Sequence, residues 1–205
     1  MDTSYAKALL PALAIGYLVP TIILFWPWKD INTVQLVIAL WQPAPLFPIL
    51  LLAVLPKILS SSSTKIATGD DSTAQLRRLY AFTGLVTACV HIGVLYAVYT
   101  SSNPEVSFER VFIPDIVRGR IDPSKGLAFI FQIDFWIIFG ASLLWAWQAV
   151  FDLRLIGVTN ASPLQAAILI LITSVVLGPG AAICGVWYWR EGVLALRSAK
   201  GYKKQ

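Results

Sequence analysis

Residues Leu127–Phe151 read LAFIFQIDFWIIFGASLLWAWQAVF, 25 residues carrying one charge, Asp134. A helix needs roughly 20 mainly apolar residues to cross the hydrocarbon of a bilayer, so this run is long enough to span. Four further runs share its character: Ala8–Trp28, Val34–Leu59, Leu79–Tyr99 and Pro163–Trp189. All are continuous, unlike the alternating ~10-residue segments of a membrane barrel. The expected fold is therefore an all-α integral membrane protein. It is a bundle of about five transmembrane helices forming one domain over residues 1–205.

Composition points the same way. Of 205 residues, 57% are hydrophobic and only 13% charged. Soluble domains carry about 25% charged residues, so a soluble or a disordered chain is excluded. A net charge of +5 without a basic cluster among exposed aromatics argues against nucleic acid and for basic loops beside a membrane. The two cysteines, Cys89 and Cys184, lie inside apolar runs and form no disulfide framework. With one histidine beside them, no metal site is expected. No nucleotide-binding loop is present, and no cofactor is expected. The first run lacks the basic start and cleavage site of a signal peptide and reads as a retained helix.

Two runs carry breaks. Trp41-Gln42-Pro43-Ala44-Pro45 must kink or break the second, because proline removes a donor and clashes with the preceding turn. Gly178-Pro179-Gly180 interrupts the fifth near its middle. Ser60–Gln75, with four consecutive serines, reads as a flexible polar loop. Thr100–Gly126 is too long for a structureless connection and reads as either functional or partly ordered as a lid.

Basic residues set the expected orientation. Over five spans, ten Lys and Arg fall on the side of the C-terminal tail and six on the other. The tail, with Arg190, Arg197, Lys200, Lys203 and Lys204, is then cytosolic, and the endoplasmic reticulum is the expected membrane.

Asp134 is the residue that calls for chemistry. A carboxyl at the centre of a span costs about 3 kcal/mol on insertion scales, so it faces the bundle and has a partner. A plain interhelical hydrogen bond that fixes packing is the alternative. His91, the one histidine, lies about 12 Å inward from Tyr99, and Asp134 about 10 Å inward from Leu127 on the next, antiparallel helix. Equal depth predicts a direct or water-bridged hydrogen bond between them. Asp134 is the expected proton donor, His91 its partner and Glu191 a second acid or base. Trp145, Phe135 and Trp187 are expected to line a pocket between the third, fourth and fifth helices, with Asp30 and Arg190 at its mouth. Such a pocket suits protonation of an epoxide or alkene. Burial keeps a proton on a carboxyl, and aromatic faces stabilise a developing carbocation.

Five stretches resemble the later spans of fungal membrane-bound terpene cyclases of the ascofuranone type. They are Leu40-Trp41-Gln42-Pro43, His91-Ile92, Phe131-Gln132-Ile133-Asp134, Gly178-Pro179-Gly180-Ala181 and Trp187-Tyr188-Trp189-Arg190-Glu191. The resemblance implies metal-independent cyclisation of an epoxidised farnesyl chain on an aromatic or polyketide head, in meroterpenoid biosynthesis. Members of that family are longer, with additional spans before the matching part, so the chain is expected to be either a shortened member or a C-terminal half. The expected function is thus a membrane-bound terpene cyclase or related isomerase acting on a lipophilic prenylated substrate. A non-catalytic membrane subunit or transporter-like component, working with a partner membrane protein, is the alternative.

Overall fold

The computed structural model describes residues 3–60, 69–115 and 123–202. Part of the expected polar loop (61–68) lies outside the described residues, as do Arg118, Arg120, Asp122, Lys203 and Lys204. The described residues form helices and turns, with no strand among them. Two compact units result, Met1–Leu79 and Tyr80–Gln205.

In the first unit, α1 (Thr3–Leu13) runs through a π-turn (Ala14–Leu18) into α2 (Val19–Leu24). The π-turn stands just before Pro20, which has no N–H to close the ordinary bond onto Gly16. Gly16 is where α4 (Leu46–Ser60) packs, since a Cβ there would meet the Pro48 nitrogen at 2.7 Å. Only glycine allows that approach. Helix α3 (Ile31–Trp41) ends where the Pro43-Ala44-Pro45 stretch begins. The axes of α3 and α4 differ by 56°, the break expected near Gln42.

The second unit holds residues 80–100 of α5 (Gly69–Thr100), then a 3-10 turn (Pro104–Val106) and the short α6 (Phe108–Phe112). Helices α7 (Pro123–Leu155), α8 (Pro163–Val176) and α9 (Pro179–Tyr202) follow. Gly157 ends α7 with φ +69°, and the Val158 N–H reaches back to the Leu153 carbonyl at 2.9 Å. That is a glycine-terminated helix end. Ser162 then caps α8, accepting from the Gln165 N–H, and Pro163 takes the first helical position, where no donor is needed.

The fifth apolar run does not cross as one span. Helix α8 is 14 residues long, about 21 Å at 1.5 Å per residue, short of the roughly 30 Å of hydrocarbon. At Gly178 (φ +93°) the chain turns back. Gln165, Leu169 and Thr173 of α8 face Ala182, Gly185 and Trp189 of α9 across a cleft of about 350 Å³. Both arms return to the same end of α7. Trp147 donates to the Pro163 carbonyl (2.9 Å), and Arg197 to that of Ile156 (3.4 Å). The run is a helical hairpin with its tip at Gly178.

Three segments are long and apolar enough to cross a membrane: Ser4–Leu24, Ser72–Thr100 and Lys125–Leu155. The bent α3–α4 pair makes a fourth if counted as one span. The expected count of about five is reduced by the hairpin, because hydropathy scores a chain that doubles back like one that continues.

Candidate functional site

The hairpin tip meets α5 at His91. A Cβ on Gly178 would lie 2.7 Å from the His91 Cγ, and one on Gly180 3.1 Å from the Thr87 Cβ. A helix that stops inside apolar surroundings leaves its last carbonyls without intrahelical donors. His91 Nε2 lies 3.2 Å from the Val175 carbonyl oxygen and supplies a donor there. A carbonyl oxygen only accepts, so Nε2 carries a hydrogen at this contact.

Around His91 is a slot of about 330 Å³. Its walls are Val90 and Val94 of α5, Phe135 and Phe139 of α7, Phe112 of α6, and the Gly178-Pro179-Gly180 turn. The rings of Phe112 and Phe135 are 5.9 Å apart, and those of Phe135 and Phe139 4.9 Å apart. His91 is the one ionisable side chain among the described residues lining it. The slot therefore offers a proton-transfer group at one wall and aromatic faces on the others.

The lid is tied down by polar side chains of α7. Gln132 Nε2 donates to the carbonyls of Arg110 (2.7 Å) and Val111 (3.2 Å), and Trp136 Nε1 donates to that of Phe112 (2.7 Å). Ser107 starts α6 by accepting from the Arg110 N–H at 3.3 Å. These bonds hold Phe112 over the slot. Gln132, Trp136, Phe112 and Phe139 were not among the expected site residues. The three-residue spacing of Gln132 and Phe135 on one helix face was the available signal.

Asp134 points elsewhere. It is exposed on α7 among Ile130, Phe131, Ile137 and Ile138, each more than half exposed, and it hydrogen-bonds no described residue. No direct His91–Asp134 hydrogen bond forms: His91 meets the Val175 carbonyl instead. The depth match said nothing about rotation, and Asp134 lies about 100° around the helix from Phe135, which does face the slot.

Glu191, Arg190, Trp187 and Trp145 do come together, away from the slot lining. The Trp145 and Trp187 rings are 4.7 Å apart, Arg190 lies 5.1 Å from the Trp187 ring centre, and Arg190 pairs with Glu191 at 2.8 Å. Of the three expected wall aromatics, Phe135 alone lines the slot; Trp145 and Trp187 pack against each other with their planes tilted by 56°.

Asp30 belongs to the first unit, where it caps α3 by accepting from the Thr33 N–H and hydroxyl, each at 2.9 Å. Those bonds, the backbone one first, hold its carboxyl below the ordinary aspartate value of 3.8. A depressed folded pKa stabilises above the unfolded pKa and is lost as pH falls through the folded value. The start of α3 should therefore fray only below pH 3.8, and Asp30→Ala should remove that dependence. Amide exchange at Thr33 and Val34 across an acid titration reads this directly.

A second cavity, about 480 Å³, lies under the lid. Glu105, Glu109, Arg110 and Asp115 line it from the loop, and Lys125 and Gln132 from α7. No group of three or more His, Cys, Asp or Glu side chains placed to hold a metal occurs among the described residues.

Fold and site thus define an all-helical protein with several helices apolar enough to cross a membrane and an aromatic slot closed by a helical hairpin. Residues 1–195 match the CtvD domain, and the chain belongs to that family. It is also similar to the FAD-dependent monooxygenase verC1 of Penicillium polonicum, 29% identical over 206 residues. That match covers 98% of this chain but 24% of verC1, so the chain spans about a quarter of the relative's length. No solved structure gives a significant match.

Proposed function

We propose that this chain is a membrane-embedded isomerase of the terpene-cyclase type, which opens an epoxide on a lipophilic chain by proton transfer and closes a ring. The observation that carries the reading is the slot itself, three phenylalanine rings and a single imidazole. In the proposed step the Nδ1–H of protonated His91 is transferred to the epoxide oxygen as a C–O bond breaks. The cationic carbon is held against Phe112, Phe135 and Phe139. A hydroxyl or alkene of the same molecule attacks it, and the proton released returns to Nδ1. Substrate and product are isomers, and His91 ends as it began. Its Nε2–H stays on the Val175 carbonyl throughout, which keeps the ring in place.

The verC1 match supports the reading. A flavin monooxygenase inserts oxygen, and an epoxide is one product of that chemistry. A domain of this kind on the same polypeptide is suitably placed to consume it. On this reading the Asp134 face of α7 packs against protein, since a carboxyl does not face hydrocarbon alone. The endoplasmic reticulum and a cytosolic C-terminus remain part of the proposal.

The test is conversion of a terminally epoxidised farnesyl phenol by membranes containing the protein, read by mass-resolved chromatography. An isomer with a new ring supports the reading, and unchanged epoxide beside properly inserted protein overturns it. The same verC1 match favours one other reading, a non-catalytic membrane subunit that seats a monooxygenase. There, co-expression would raise a partner's oxygenation and leave added epoxide untouched.

A further inference from the structure

We propose that one face of α7 is the contact surface for a second copy of this chain, and that two copies pair through it inside the bilayer, α7 against α7. The inference rests on the membrane placement proposed above and not on the reaction.

The face is drawn by spacing. From Ile130, steps of four and three residues lead to Asp134, Ile137, Ala141, Leu144 and Gln148, all of them exposed. Ile130, Ile137 and Leu144 are each more than half exposed. Half a turn around the helix, nine residues on from Ile137, Ala141 and Leu144, stand Ala146, Val150 and Leu153, all buried. One side of α7 is thus packed, and the opposite side carries a seam. Its spacing averages 3.5 residues, the repeat by which two helices wrap around each other in a left-handed crossing.

The polar residues of the seam lie at membrane depth. The segment Lys125–Leu155 is long and apolar enough to cross, and Gly140 is its middle residue. At 1.5 Å per residue, Asp134 stands about 9 Å before that point and Gln148 about 12 Å after it. Both fall within the roughly 15 Å half-thickness of the hydrocarbon. Neither hydrogen-bonds a described residue. Lipid tails supply no partner, so another helix must.

Their chemistry selects that helix. Two copies insert in the same orientation, so their α7 helices run parallel. A twofold axis along the membrane normal then sets each seam residue opposite its own counterpart. Such an arrangement suits side chains that pair with themselves. A carboxyl carrying its proton both donates and accepts, and so does an amide. Asp134 and Gln148 are of that kind, and the seam holds no lysine or arginine to repel its own copy. Ala141, midway between them, lets the two backbones approach closely.

Energy transfer between copies tests this. The whole chain, fused to donor or acceptor fluorescent proteins, would be inserted in phosphatidylcholine vesicles and diluted stepwise with lipid. Transfer should exceed that of an unrelated monomeric membrane protein at equal density and should fall with dilution as a two-body equilibrium. Asp134→Leu should weaken association about 3- to 30-fold, the factor that one interhelical hydrogen bond in a membrane supplies. Asp134→Asn still pairs with itself and should stay within about twofold of wild type. Ala141→Trp should abolish association by wedging the backbones apart. Gly140→Trp is its control, because an added Cβ there meets nothing within 4 Å and the position lies about 100° around the helix. All three positions are exposed, so the variants leave the fold intact. Inserted chains that stay monomeric, their seam left to some other helix, would overturn the proposal. So would association indifferent to both Asp134→Leu and Ala141→Trp. No turnover is read in this assay. A monomer therefore sinks the interface but not the reaction, and a dimer that leaves epoxide unchanged sinks the reaction but not the interface.

Discussion

His91→Gln should lower ring-forming turnover by a factor of about 10² to 10⁴ while leaving the protein folded, the usual span for removing a general acid–base group. Glutamine is chosen because its amide N–H can still reach the Val175 carbonyl, now met by the imidazole at 3.2 Å. The tip of the hairpin then keeps its cap, and only the proton-transfer capacity is lost. His91→Leu removes both, so its cost should appear in stability as well as turnover. Losing that hydrogen bond costs about 0.5–1.5 kcal/mol. The two variants therefore separate a chemical role from a structural one. Equal turnover in wild type and His91→Gln would show that the imidazole is only a cap. Asp134→Asn supplies the contrast: if His91 is the proton donor, the substitution leaves turnover within about twofold, whereas loss of turnover would return that role to the carboxyl.

How far the sequence could lead is clearest at two places. The apolar runs disclosed helices because unbroken hydrophobicity over roughly 20 residues outlasts any ordinary strand, which ends within about eight. The prolines after Trp41 likewise disclosed the 56° break. The same hydropathy misread Pro163–Trp189 as a crossing. Its first arm is only 14 residues before the Gly178-Pro179 turn, and Arg190-Glu191 follow too soon for a second full crossing. Length, not apolarity, was the informative quantity there. At the site, depth was readable but rotation was not. Phe135 and Asp134 are adjacent in sequence, yet one lines the slot and the other is exposed among Ile130, Phe131 and Ile137. The lid contacts were beyond reach altogether. That Gln132 would hold carbonyls 21 and 22 residues away follows from where the loop returns, which no local pattern specifies.

Gly178→Ala should be the most damaging single methyl group in the second unit. Two penalties coincide at that position. The backbone has φ +93°, a region that side-chain-bearing residues enter at a cost of about 1–3 kcal/mol. The new Cβ would also lie 2.7 Å from the Cγ and 2.8 Å from the Cβ of His91, so ring or turn must move. Overpacking of that kind costs typically about 1–3 kcal/mol more. A combined loss of about 2–6 kcal/mol is a large share of a typical domain's stability. Where folded protein survives, the displaced tip should release the His91–Val175 contact, and amide exchange over residues 174–182 should rise. Gly185→Ala is the matched control. It lies on α9, where an added Cβ meets nothing within 4 Å, and should be neutral or slightly stabilising, because alanine narrows the unfolded ensemble. The double variant Gly178→Ala with His91→Ala isolates the ring's share of the clash. Shortening His91 to a methyl group clears its ring atoms and leaves φ unchanged. Partial recovery of melting temperature over the Gly178→Ala single variant is expected. No recovery at all would mean that the backbone conformation and the remaining approach to the Cβ of residue 91, not the imidazole ring, reserve this turn for glycine.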